Sequence, residues 1–502
     1  MVRASFLCLS LTAALAAQPV RLHPENPHYY EFRGKPFLAV TSAEHYGALI
    51  NRRFDYRKYF DTLARDGMRL TRFFTGLYRE VPGSFGITHN TLAPAPEQFL
   101  TPYARSSTPG ALDGLNKWDL DRWNPEYWRR LKDLVGYAAE KGIITQVTLF
   151  CSYYRDEMWE ASPLHPKNNI NRTPDVPRQE VLSLKHPPLY HRLDEFVNKI
   201  VTELNGFDNV TWEICNEPWA GDVSLDWQLH VAQVIRDTED RLGRRHLIAR
   251  NVANHWKLVT GPSTNVDLLH FHYARPPVVV AMNYGLGKLI GYDETGFDGT
   301  LDSPYRVQAW DFVLAGGGHF NHLDYSFTVG HEDGAYRFPK TQPGGGGPEL
   351  RRSFKALIDF MERFDFVHMK PADELIAALV GLRGSIRVLA DGRDWNWISA
   401  APWAGLEASA RLLAGNGEYA LYLHHGTPLG AYRPYYGVST APQRTRVALN
   451  VPAGRYQVTW WRPRTGEKEE APAVEHEGGL LWLVTPQYRE DIALELRRSQ
   501  RE

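Results

Sequence analysis

The sequence predicts a (β/α)8 TIM barrel of the α/β class followed by a smaller all-β sandwich, on three observations. Eight short apolar runs alternate with amphipathic helical stretches between about residues 36 and 364, the pattern of βα units around a parallel sheet. From about residue 375 the helical period disappears, and short alternating or apolar segments follow, separated by Gly, Pro, Asn and Asp turns. The 502 residues, 43% hydrophobic, suffice for a large core and for more than one domain.

In chain order, Arg3, the apolar stretch Ala4 to Ala17 and the small-x-small site Ala14-Leu15-Ala16 read as a signal peptide over residues 1–17. That implies a secreted or periplasmic protein. The stretch is too short for a transmembrane span, and no later apolar run is long enough. Cleavage would remove Cys8 and leave Cys151 and Cys215, so the chain is not a disulfide scaffold. One bridge between adjacent strand ends, or two buried thiols, would each satisfy the sequence.

The first predicted strand, residues 36–40, leads through TSAEHYG to a helix around residues 56–65. The second, 68–74, feeds a connection to about residue 122 that is rich in Pro, Gly, Ser and Thr. Its length suits a binding-site wall, and its Tyr78, Phe85, His89, Tyr103 and Trp118 either contact a ligand or pack the loop. A helix over 125–141 shows Trp128, Leu131, Leu134 and Val135 at helical spacing; Gly142 stops it before a strand at 143–150. Beyond another long loop come helix 187–204, strand 210–214 and helix 225–241. Strands recur at 246–249, 266–272, 289–292 and 319–323, with a helical stretch at 305–314 joining the last two. A final helix, 349–364, follows the glycine tract Gly344 to Gly347. Eight strands close a barrel of this type, whose catalytic residues sit at the C-terminal strand ends.

Residues 18–368 are therefore assigned to the barrel and 369–502 to the sandwich. The sandwich segments are SIRVLA, WNWISA, ARLLA, YALYLHH, TRVALNVP, RYQVTWWRP, GLLWLVTP and DIALELRR. Their Trp and Tyr residues could form a sugar-binding platform, but an inward face needs such residues anyway, so packing is the expected role.

Net charge is −1, from 57 basic and 58 acidic residues. Nothing in that balance favours nucleic acid or an anionic membrane as partner. The 15 Trp, 25 Tyr and 22 Phe can stack on sugar rings while their polar atoms hydrogen-bond. No dinucleotide fingerprint, P-loop or nucleophile elbow is present, and no cofactor is expected.

Cleaving a glycosidic bond with retention needs two carboxyl groups about 5 Å apart, one to protonate the leaving oxygen and one to attack the anomeric carbon. NVTWEIC ends in Asn216-Glu217-Pro218, with Glu217 at the barrel rim and Pro218 ending the ladder. KLIGYDETG ends in Asp293-Glu294-Thr295-Gly296 and brings a second carboxylate to the rim of another strand.

Asn-Glu-Pro after an apolar strand, followed some 80 residues later by a strand-end Glu, resembles the clan A glycoside hydrolases, especially the family 5 cellulases and mannanases. The resemblance implies that Glu217 is the acid/base on strand four and Glu294 the nucleophile on strand seven, matching the positions the strand count assigns them. The family's Gly-x-Asn-x-x-Arg resembles Gly67-Met68-Arg69-Leu70-Thr71-Arg72. That carries the Arg onto Arg72, which would orient the nucleophile, while Arg69 occupies the Asn place. His-x-Tyr on strand six corresponds to His270-Phe271-His272-Tyr273, where His270, His272 or Tyr273 is expected to touch Glu294. Glu44 and His45 sit where the clan binds the non-reducing sugar, or else form a local ion pair or cap. Strand eight, HFNHLDYSF, lacks the Trp that floors the site in many relatives. Asn321 is one polar candidate there, and Trp219 or Trp310 could supply a floor from elsewhere. Asn216 would bind a ring hydroxyl, and Glu213, deeper in strand four, is expected to pair with Arg72.

The His and Asp residues of strands six and eight could ligate zinc, but no metal is expected, because Glu217 and Glu294 already account for the chemistry. Glu217 should titrate above an ordinary Glu, raised by burial and by the charge of Glu294. The leading expectation is a retaining β-glycosidase acting on an oligo- or polysaccharide. The alternative is a noncatalytic carbohydrate-binding protein on the same scaffold, and the separation of the two carboxyls discriminates them. The long loop after strand two leans toward a blocked groove.

Overall fold

The structure, a computed structural model, describes residues 18–381, 388–390, 393–394, 408–429 and 436–499. The expected signal peptide, all of WNWISA and the first half of SIRVLA lie outside the described residues.

Eight parallel strands form one sheet: β1 (Ala39–Ala43), β2 (Leu70–Phe74), β3 (Ile144–Cys151), β4 (Val210–Asn216), β5 (Leu247–Asn254), β6 (Leu268–His272), β7 (Leu289–Thr295) and β8 (His319–Leu323). Each expected strand is present, with ends shifted by a few residues. Ladders join every neighbouring pair except β1 and β2. There the seam closes through Thr41, whose hydroxyl donates to the Leu70 carbonyl at 2.7 Å, and through the Phe74 N–H to the Tyr46 carbonyl at 3.0 Å.

The helices α1 (Tyr56–Arg65), α2 (Pro125–Glu140), α3 (Pro187–Leu204), α4 (Leu225–Leu242), α5 (Val278–Asn283), α6 (Asp302–Leu314) and α7 (Pro348–Met361) lie between or after the strands. Their starts follow local chemistry. Asp55 caps α1 by accepting from the N–H groups of Arg57 and Lys58, Asn124 and Pro125 open α2, and Ser224 caps α4. Gly243 ends α4 at φ 78°. Helix α2 buries Trp128, Leu131, Leu134 and Val135 on one face, as their spacing requires.

Below the barrel, short strands at Arg21–Leu22, Tyr30–Phe32 and Lys35–Phe37 make a small sheet. Its Tyr30 and Phe32 pack on the first residues of the barrel strands, including Leu70, Ile144, Leu268 and Leu289. The long connection after β2 is not a structureless loop. Tyr103–Pro109 and Asn116–Trp123 pair in it as an antiparallel ribbon, with Tyr103 and Trp118 buried.

Among the described residues the strand pairings of the C-terminal region are antiparallel. A six-stranded sheet contains Ser409–Gly415, Glu418–His424, Asp491–Arg498, Gly454–Trp461 and Lys468–His476. It faces a three-stranded sheet of Ile376–Gly381, Thr445–Asn450 and Leu480–Val484. Leu421, Leu423, Val447, Leu449, Val458 and Leu481 fill the space between them. Alternation along RYQVTWW sends Tyr456, Val458 and Trp460 into that core, while Trp461 turns to the barrel and meets Phe360 of α7 at 5.4 Å between ring centroids. These aromatics are packing residues. No helix among the described residues is long and apolar enough to cross a membrane.

Candidate active site

At the C-terminal end of the barrel a cavity of about 250 Å³ is lined by side chains at or just past the ends of seven strands, β1 to β7, and from the connection after β2. A larger depression, about 1050 Å³, lies on the sandwich. Its Arg455 and Glu475 are exposed and 3.7 Å apart, an arrangement that screened surface charges adopt freely. The barrel cavity is the one that gathers buried acids.

Glu217 follows β4 with a left-handed backbone, φ 42° and ψ 57°. Its N–H donates to Asn251 Oδ1 at 3.2 Å, and its carbonyl accepts from the Ser152 hydroxyl at 2.7 Å. So held, the carboxylate enters the cavity, where Oε2 accepts from the Tyr154 hydroxyl at 2.7 Å and Oε1 lies 3.1 Å from His272 Nδ1. Glu294, within β7, accepts from Tyr273 at 2.6 Å on Oε1 and from Tyr46 at 2.9 Å on Oε2. Arg72 Nη1 stands 3.5 Å from Oε2. Tyr46, Phe85, Glu217 and Tyr273, all cavity-lining, have φ between 42° and 59°, a region that costs a non-glycine residue about 1–3 kcal/mol and that collects at functional sites.

A carboxylate oxygen of Glu217 and one of Glu294 lie within 4.8 Å of each other, with His272 Nδ1 inside the same radius. The two carboxylates therefore share one cavity. The two acids differ in surroundings. Burial acts to raise the pKa of Glu217, but the hydrogen bond and charge of His272, with the Tyr154 hydroxyl, outweigh it, so Glu217 titrates below an ordinary Glu. The expected upward shift is therefore reversed, because the barrel puts an imidazole against the carboxylate.

Beneath the cavity the barrel interior holds a polar column instead of aliphatic layers. Arg72, fully buried, donates to Glu213, to Asn216 Oδ1 at 2.6 Å and to Thr148 at 3.2 Å, and lies 3.4 Å from Asp293. Gln146 Nε2 donates to Glu213 and, at 2.7 Å, to Asp293. His319 spans Asp293 (2.9 Å) and Tyr30 (2.9 Å), and His270 Nδ1 lies 3.1 Å from Asp293. Burial raises Glu213 well above the usual carboxylate range despite Arg72. Asp293, equally buried, is held well below it by Arg72, His270 and His319. Burial lowers His270 to about 4.

Of the residues named from sequence, Glu217, Glu294, Asn216, His45, Tyr273 and, from the long connection, Phe85 line the cavity. Tyr273 is the strand-six residue that bonds Glu294, whereas His272 turns chiefly to Glu217 and His270 to Asp293. Arg72, His270 and His272 stand behind the wall, fully buried. The structure does not bring Glu44, Asn321 or Trp219 to the cavity wall. Glu44 caps its own loop, accepting from the N–H groups of Gly47 (3.0 Å) and Ala48 (2.7 Å) and from Thr91 (2.6 Å). Asn321 donates to the Asp293 carbonyl at 3.0 Å, and Trp219 meets His272 edge-on, 5.3 Å between centroids. Trp310 is not a floor either, since it is buried on α6 and stacks on Tyr422. Arg69 pairs with Glu362 away from the site. Aromatic lining comes instead from Tyr46, Phe74, Phe85, Tyr154 and Phe297. Glu80, Tyr46, Tyr154 and Asn254 were not expected, for they lie in loops or at a strand end without a spacing rule.

Among the described residues two sets have the spacing of metal ligands, His270–Asp293–His319 and Glu217–His272–Glu294. Arg72 already stands against an acid of each, 3.4 Å from Asp293 and 3.5 Å from Glu294, and repels a further cation. Cys151 and Cys215 are both free and buried.

Residues 90–178, which include the ribbon, β3 and Tyr154, match a family model described as "Domain of unknown function (DUF6298)". No curated protein matches the sequence. Among solved structures the chain is similar to one titled "Glycoside hydrolase", at 12% identity and a TM-score of 0.60, over 97% of this chain and 98% of the other. It is also similar to a glycoside hydrolase family 5 protein from Bacteroides vulgatus ATCC 8482, at 12% identity and a TM-score of 0.59, over 96% and 93%. At such identities the likeness is one of fold, and the chain carries the barrel-plus-sandwich fold of the family 5 type.

Proposed function

We propose that the chain is a retaining β-glycosidase in which Glu294 is the nucleophile and Glu217 the acid/base. One observation carries this reading, the approach of the two carboxylates to within 4.8 Å across one cavity. In the first step Glu294 attacks the anomeric carbon while Glu217 gives its proton to the departing oxygen. In the second, Glu217 takes a proton from water, and that water displaces Glu294. Tyr46, Tyr273 and Arg72 hold Glu294 ionised and aimed. His272 and Tyr154 set the orientation of Glu217, and Arg72 and Tyr154 together set that of Asn216, whose amide can meet a ring hydroxyl. The signal-like residues 3–17 support an exported enzyme. A noncatalytic sugar-binding role would not need two acids at this separation with unlike partners.

The test is incubation with a panel of β-linked glycans and aryl β-glycosides, reading product size and anomer. Products that keep the β configuration are expected. Glu294→Gln should lose at least about a thousandfold in turnover. Glu217→Ala should keep more activity on aryl glycosides with acidic leaving groups, which need no proton. Inverted products, or wild-type turnover by Glu294→Gln, would sink the assignment.

A further inference from the structure

Glu80 and His45 form a second polar pair in the cavity, and nothing in the chemistry of Glu217 and Glu294 uses it. Glu80 comes from the connection after β2, yet its side chain is only 4% exposed. His45 Nε2 lies 3.3 Å from both of its oxygens, and Asn90 donates to Oε2.

Comparison with Glu44, one residue from His45, separates a structural acid from one with spare capacity. Glu44 accepts three hydrogen bonds from its own loop and from Thr91, and stays off the cavity. Glu80 lines the cavity, and among the described residues its Oε1 accepts only the long contact from His45, although a carboxylate offers about four acceptor sites. His45 Nδ1 is buried without a partner among the described residues. Polar capacity in so buried a place is costly until water or a ligand hydroxyl meets it.

Position indicates which part of a substrate would do so. Tyr46, next in the chain to His45, bonds Glu294, so the pair stands on the side of the sugar that Glu294 attacks. Leu92 lines the cavity with them, and the volume of about 250 Å³ falls below the roughly 300–1,000 Å³ of sites for larger ligands. The lining carries Glu80, Glu217 and Glu294 and, among the described residues, no Lys or Arg. An anionic sugar would meet repulsion there.

Resting on the glycosidase reading, we propose that Glu80 and His45 are specificity-determining residues that bind hydroxyls of an uncharged non-reducing terminal sugar and make the enzyme exo-acting. Glu80 accepts from one or two hydroxyls, and the small cavity that His45, Glu80 and Leu92 help to line takes one terminal unit.

The probes are oligosaccharides labelled at the reducing end, with neutral aryl β-glycosides and the monodeoxy analogues of whichever is cleaved. Wild type should release single terminal units. It should lose about 10- to 100-fold in kcat/KM on the analogue lacking the hydroxyl that Glu80 accepts. Glu80→Gln should lose a similar factor on the parent glycoside while that one deoxy penalty disappears, with Glu80→Asp recovering part of it and thermal unfolding unchanged. Internal cleavage, wild-type kcat/KM in Glu80→Gln, or an equal loss on parent and every analogue would overturn the proposal and leave the glycosidase reading standing. No cleavage of any β-glycoside by wild type would overturn that reading, and this one with it.

Discussion

Glu217 and Glu294 are the same residue type at corresponding strand ends, and their neighbours make them different groups. Glu294 faces two tyrosine hydroxyls and a guanidinium, and Glu217 faces an imidazole and one tyrosine. The His272 contact has a kinetic consequence. An acid catalyst works only while protonated, so kcat/KM falls as pH rises through its pKa. Because His272 lowers the pKa of Glu217, the alkaline limb of the profile should lie on the acid side of neutrality. His272→Phe keeps a ring and removes the hydrogen bond and charge, so that limb should move to higher pH for a glycoside with a poor leaving group. A limb that stays in place or moves down would show that another group donates the proton. At this scale the strand-end acids, Asn216 and Tyr273 were legible, because Asn-Glu-Pro and the HFHY run are contiguous in sequence. Tyr46, Glu80 and Tyr154 were not, since each reaches the cavity from a loop whose path no periodicity encodes.

Among the elements, the glycine tract shows how a segment that reads as simple sequence does specific work. A β-carbon on Gly344 would lie 1.8 Å from the Gly296 carbonyl oxygen, two residues after Glu294, and one on Gly346 would lie 2.0 Å from Asp324 Oδ1. Asp324 is itself tied to Ser42 at 2.9 Å and to Arg351 of α7 at 2.6 Å. The tract therefore fits between the ends of β7 and β8, where only a bare backbone has room. Gly344→Ala should cost about 1–3 kcal/mol or more in denaturant unfolding and should lower turnover as well, by shifting the end of β7. Unchanged stability would mean that the tract can move aside. The ribbon after β2 was equally hidden, because its Ser, Thr and Pro residues carry little hydrophobic alternation.

The barrel and the sandwich are joined along α6, the helix that follows β7, as well as by the contact of Phe360 on α7 with Trp461. Arg306 donates to Asp491 at 2.8 Å and to Glu490 at 2.5 Å. Asp311 lies 3.2 Å from Arg411 and 3.4 Å from His424, and Trp310 stacks on Tyr422 at 5.4 Å. Both Arg306 and Asp491 are about 3% exposed in their side chains. Arg306→Ala would leave a carboxylate buried without its partner and should destabilise the protein by about 3–5 kcal/mol, measured by chemical denaturation of the full chain. A loss below about 1 kcal/mol would mean that water reaches the junction and the two units are only loosely joined.

The sequence by itself determined the number and order of the strands, the switch to an antiparallel companion and the pair of acids at the ends of β4 and β7. All of these follow from periodicity and from residues adjacent in the chain. Tertiary structure decided what surrounds those acids: the imidazole that lowers Glu217, the tyrosines on Glu294, the buried Arg72 set against both Glu213 and Asp293, and the Glu80–His45 wall. Each depends on groups from distant parts of the chain meeting within about 3 Å in a medium too dry to screen them, and no local pattern records such a meeting.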